Sequence, residues 1–181
     1  IFNHRWGADR DELLNGYDPA TQANFRYGVS RVEVLRRLGV TTQDWLTGFR
    51  DITNATNERT LIPSVIPVAG VGHNLTLFDT SNAPSWWLAT VMTSFVVDFC
   101  ARVKLGGTHM SSFIIRQLPI PSPGTFRQAP GWTTQPLADW LRPRVAELTY
   151  TAHDLRAFGE GLGFDGEPFV WVDERRSWLR A

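Results

Sequence analysis

Lysine is almost missing from this 181-residue chain: Lys104 stands alone against 17 arginines. Cysteine occurs once, at Cys100, which excludes an intramolecular disulfide and fits a reducing cytoplasm. Cys100 falls within an apolar helical pattern, where a buried thiol is the expectation. No apolar run approaches the roughly 20 residues a bilayer-spanning helix needs, and no signal-peptide pattern opens the chain, so no membrane partner is expected. Net charge is absent too. The 18 basic residues balance 18 acidic ones, which removes the strongly basic signature of non-specific nucleic-acid affinity. What remains is the arginine excess. A planar guanidinium suits phosphates and guanine edges, although a GC-rich coding bias produces the same excess.

Catalytic motifs are missing as well. Adenine amino-methylation uses an Asn/Asp-Pro-Pro-Tyr/Phe tetrapeptide and a Gly-rich loop after a strand, and neither occurs. The Glu-x-Lys of metal-dependent nucleases is absent, since Arg102 stands two residues before the single lysine. There is no Gly-x-Ser-x-Gly and no P-loop. His4, His73, His109 and His153 are scattered, so no metal-ligand spacing appears and no metal or catalytic residue is expected.

The elements follow from periodicity. Residues 1–24 are polar and turn-rich (Asn15-Gly16, Asp18-Pro19) and read as an irregular lead-in. Val29–Leu38 predicts a short helix closed by Gly39. Trp45–Thr53, Thr60–Val68 and Asn74–Asp79 predict strands, the second an edge or bulged strand because of Pro63 and Pro67. Pro84–Lys104 predicts one long helix with an apolar stripe from Trp87, Leu88 and Val91 through Phe95, Phe99 and Val103. Ser112–Pro121 reads as a further strand-like segment. After a Pro/Gly-rich connector, Pro136–Phe158 reads as helix with a kink or restart at Pro143. The expected fold class is α+β: a small, mostly antiparallel sheet covered by a long amphipathic helix, with a C-terminal helical subdomain. The expected division is a domain over 25–125 and a helical segment over 126–181. The chain opens on Ile1 and closes on a running helical pattern, Asp173–Ala181, which reads as part of a longer protein.

The polar run from Arg50 to Thr60, set between two strands, is the most informative stretch. Loops held between rigid elements are where recognition groups concentrate. Asn57 and Arg59 have the side chains best suited to bidentate contacts with adenine and guanine. The competing interpretation makes Asn54 and Asn57 turn-formers and pairs Glu58 with Arg50 or Arg59. The loop Lys104–Ser111, with Gly106-Gly107, either brings backbone close to a phosphate or merely ends the helix.

Several segments together resemble the C-terminal target-recognition region of bacterial N6-adenine DNA methyltransferases, a family of restriction-modification and phage-defence enzymes. Ile1-Phe-Asn-His-Arg-Trp6 is similar to a Phe-Asp-His-Arg-Phe/Trp segment after the catalytic domain. Phe49-Arg-Asp-Ile-Thr-Asn-Ala-Thr-Asn-Glu-Arg-Thr60, followed by Ile66-Pro67, resembles its strand–loop–strand. Gly70-Val-Gly-His-Asn74 resembles its glycine turn, Ser94 to His109 its helix and Gly-Gly-Thr-His loop, and Gln117-Leu-Pro its Gln-Leu-Pro. Glu147–Phe158 and Glu174–Arg180 resemble its closing helices. Residues 7–44 and 122–135 depart most. The resemblance implies a non-catalytic fragment that grips double-stranded DNA beside an upstream methyltransferase domain of the same parent. S-adenosylmethionine would bind in the parent, with no cofactor in this fragment. By position it implicates Arg50, Asn57, Arg59, Lys104, Thr108, His109 and Arg116 in DNA contact. The rival expectation is a protein-interaction scaffold, with Trp86, Trp132 and Trp140 docking the methyltransferase domain or another defence subunit. A nuclease fragment is the third.

Overall fold

The computed structural model describes residues 28–39, 44–78, 85–170 and 172–175. The lead-in over 1–24 and most of the closing helix lie outside them. The architecture is α+β, with a three-stranded antiparallel sheet and helices packed on it.

Helix α1 spans Arg31–Leu38. Ser30 caps it by accepting a hydrogen bond from the Glu33 N–H, and Gly39 closes it in the left-handed region at φ 69°. Strand β1 (Trp45–Arg50) lies centrally between β2 (Pro63–Pro67) and β3 (Leu75–Leu77). Leu46, Thr47, Gly48 and Phe49 are all buried, because helices or loops cover both faces of the central strand. Gly48 sits opposite Ser64 on one side and Leu77 on the other. A Cβ there would stand 2.6 Å from the Thr76 carbonyl oxygen, so only glycine allows β3 to approach this closely. Pro63 and Pro67 bound β2 at the sheet edge, where a missing N–H costs no ladder bond.

The predicted Pro84–Lys104 helix is two helices. Helix α2 (Ser85–Met92) and α3 (Phe95–Lys104) meet at 66°. The hydroxyls of Thr90 and Thr93 bond back to the Trp86 and Thr90 carbonyls, and Ser94 turns outward to cap the Val97 N–H. Local side-chain bonds of this kind compete with the continuing ladder and end the first helix. The bend also divides the apolar stripe. Trp87 and Met92 are buried, whereas Phe95, Val96, Phe99 and Val103 are 70, 70, 65 and 71% exposed, and Cys100 is only half-buried.

The strand expected over Ser112–Pro121 is instead a short helix α4, Ser112–Ile115, capped by Ser111. Its run of Phe113, Ile114 and Ile115 is too short for its period to separate helix from strand. A 3₁₀ turn follows at Pro123–Arg127. Helix α5 (Leu137–Thr149) carries Pro143 inside it, and after a 3₁₀ turn at His153–Leu155 the chain enters α6, Arg156–Gly161.

Two apolar clusters hold these elements. One joins Val65 of β2 and Trp86, Trp87 and Ala89 of α2 to Phe126, Val145, Tyr150 and Phe158 of the C-terminal half. The other, under α3, contains Phe49, Leu61, Met92, Val97, Ala101, Leu105, Met110 and Leu118. Trp86 therefore belongs to the core and not to an exposed docking surface.

Candidate nucleic-acid interface

The Arg50–Thr60 run leaves the central strand and is tied down at almost every step. Asn54 forms an Asx turn, accepting from the Thr56 N–H at 3.0 Å and the Thr56 hydroxyl at 3.1 Å. Thr53 donates its hydroxyl to the Thr60 carbonyl at 2.7 Å, closing the loop at its neck. Asp98 of α3 anchors the far side. Its Oδ1 accepts from the N–H groups of Thr60 (2.9 Å) and Leu61 (2.7 Å), while Arg102 reaches its Oδ2 at 3.4 Å. Arg102 also donates to the Ala55 carbonyl at 2.6 Å and the Glu58 carbonyl at 2.9 Å. A buried carboxylate is stable here because backbone donors and two guanidinium groups surround it.

The Lys104–Ser111 loop lies against the other side of the same run. Ile52 and His109 form an isolated antiparallel bridge. The Thr53 N–H donates to the Thr108 carbonyl at 3.0 Å, and the Met110 N–H donates to the Asp51 carbonyl at 2.8 Å. Side chains reinforce the ladder, since His109 Nδ1 lies 2.8 Å from Asp51 Oδ2. That bond orients an imidazole whose side chain is 64% exposed. Asn74 of the glycine turn joins at the same end of β1, its carbonyl accepting from the Asp51 N–H. Three chain segments far apart in sequence thus meet at one edge of the sheet.

The candidate residues divide by what they do inside the fold. Arg50, Lys104, Thr108, His109 and Arg116 are exposed. Arg50 and Arg116 have no side-chain partner among the described residues, and Lys104 makes one long bond of 3.4 Å to Gln117. Arg59 is engaged internally. It donates to the Thr93 carbonyl, sits 3.7 Å from Asp98, and stacks over the Phe95 ring at 5.0 Å. Asn57 donates to the Thr53 hydroxyl at 3.4 Å, and its N–H bonds the Asn54 carbonyl. Sequence reading missed Asp98 and Arg102 as frame residues. Their bonds cross 37 to 47 residues of chain, a separation that no local pattern encodes.

No three His, Cys, Asp or Glu side chains gather as a metal site would among the described residues. No single helix among the described residues is long and apolar enough to cross a membrane. No protein-family model, curated protein or solved structure matches the chain.

Proposed function

We propose that this domain grips double-stranded DNA and reads a target sequence for an N6-adenine DNA methyltransferase or restriction-modification enzyme. Support comes from one juxtaposition: the Ile52–His109 bridge, which joins the two segments resembling that family's recognition loops into a single rigid edge. Arg50, Lys104 and Arg116 are exposed and serve as phosphate contacts, together with the exposed Thr108 and His109. Arg59 and Asn57 hold the loop in shape beneath these contacts. Methyl transfer, with its S-adenosylmethionine and its flipped adenine, belongs to another part of the parent enzyme.

The test is fluorescence anisotropy of the folded chain with mixed-sequence duplex DNA. Each phosphate contact contributes a salt slope of about −0.9, so three contacts predict a roughly 40-fold loss of affinity between about 50 and about 200 mM salt. Replacing Arg50 and Arg116 together by alanine should lower the slope by about two contacts' worth without unfolding the protein. Salt-independent binding, or a double variant that binds like the parent, would refute the proposal.

A further inference from the structure

Helix α3 turns two opposite characters outward and inward. Val97, Asp98 and Ala101 are buried, while Phe95, Val96, Phe99 and Val103 form one exposed apolar sector at i, i+1, i+4 and i+8. Scattered exposed hydrophobics are ordinary, but four on one helix face make a contiguous patch of the kind that marks an interaction site. Its rim is basic on both sides. Arg102, and Arg59 lying over the Phe95 ring, border one flank, and Lys104 borders the other. The single acidic residue of α3, Asp98, is buried and already accepts from Thr60, Leu61 and Arg102.

We infer that this face docks an amphipathic helix of a partner polypeptide, one whose apolar stripe runs between acidic flanks. The geometry is that of helix-on-helix recognition, in which aromatic anchors at helical spacing meet a complementary stripe. Charge selects the occupant. A second copy of this chain is disfavoured because Arg59 stands at the N-terminal end of α3 and Arg102 and Lys104 at the other. Either orientation of a self-paired helix would bring basic groups together, and like charges across an interface are repulsive. Duplex DNA meets the basic rim but leaves Phe95 and Phe99 unburied. The apolar residues Phe95, Val96, Phe99 and Val103 take no part in the proposed DNA-reading edge at Ile52 and His109, although Lys104 of the rim borders both.

The experiment uses the whole chain and two fluorescent synthetic helices with the same leucine stripe, one flanked by Glu and the other by Lys. The Glu-flanked helix should bind, weaken as salt rises, and lose about tenfold or more on Phe99→Ser. Val103→Ser should weaken it as well. Both variants should keep the parent's thermal midpoint, because these side chains are exposed. Equal binding of the two helices, no binding of the Glu-flanked one, or no effect of Phe99→Ser would overturn the inference. So would a concentration-dependent dimer in sedimentation that Phe99→Ser abolishes, since that assigns the face to a second copy.

Discussion

Asp98 shows how much one side chain can organise when its partners are backbone groups. It is 5% exposed, and two N–H groups of the polar run end on its Oδ1. Asp98→Ala would leave the Thr60 and Leu61 donors unmet and Arg59 and Arg102 without their counter-charge. Removing one partner of a buried ion pair costs about 3–5 kcal/mol, and urea denaturation should show a loss of that size. Asp98→Asn should cost less, because its amide oxygen still accepts from the two N–H groups. An Asp98→Ala midpoint equal to the parent's would mean the polar run holds itself. Thr47 is the opposite case. Its hydroxyl is buried in the central strand with no partner among the described residues. Thr47→Val keeps the branched shape β1 favours and removes the unmet group, so stability should rise by about 1 kcal/mol in the same assay.

At the scale of elements, the sequence was legible wherever a local rule decides the outcome. Ser30 and Gly39 mark both ends of α1, and Pro63 and Pro67 place β2 at an edge. It was illegible where one pattern serves two structures. The apolar stripe from Trp87 to Val103 reads as one helix, yet Thr90, Thr93 and Ser94 redirect backbone bonding and turn half the stripe to solvent. The candidate interface was half legible. Its residues stood out as a polar run and a glycine loop, but their meeting depends on the Ile52–His109 bridge, which spans 57 residues of chain. Helix α1 supplies a prediction of its own. Arg36 and Arg37 beside Glu33 hold its carboxyl down to about 2 from 4.5. A depressed carboxylate stabilises the fold above its unfolded value and loses that contribution as pH falls from about 4.5 toward about 2. The pairs are exposed, so the effect on stability is small. An NMR titration of the Glu33 side-chain carboxyl should find its midpoint near the low value. A midpoint at 4.5 would show that the pairs do not persist in solution.

For the whole molecule, the question is whether the C-terminal helices form a unit that can leave the sheet. Their packing argues against it. Trp45, the first residue of β1, meets Phe158 of α6 edge-on with ring centroids 5.5 Å apart. A Cβ at Gly161 would stand 2.5 Å from the same indole, so α6 lies on β1 as closely as a glycine permits. Val65 and Trp87 share one apolar cluster with Val145, Tyr150 and Phe158, so the C-terminal helices bury their apolar residues against the sheet and α2. A shared core unfolds cooperatively, and far-UV ellipticity and tryptophan fluorescence should trace one coincident denaturation curve. Gly161→Ala should shift both probes together by about 1–3 kcal/mol, the usual cost of overpacking a filled contact. In a Trp45→Ala background Gly161→Ala should cost less than it does alone, because the two residues meet and their effects are not additive. If Gly161→Ala instead moved one probe and left the other, the α5–α6 region would be a separable unit and the Ile52–His109 edge would stand without it. A coincident shift would mean that the Ile52–His109 edge is only as stable as the Trp45–Phe158 contact behind it.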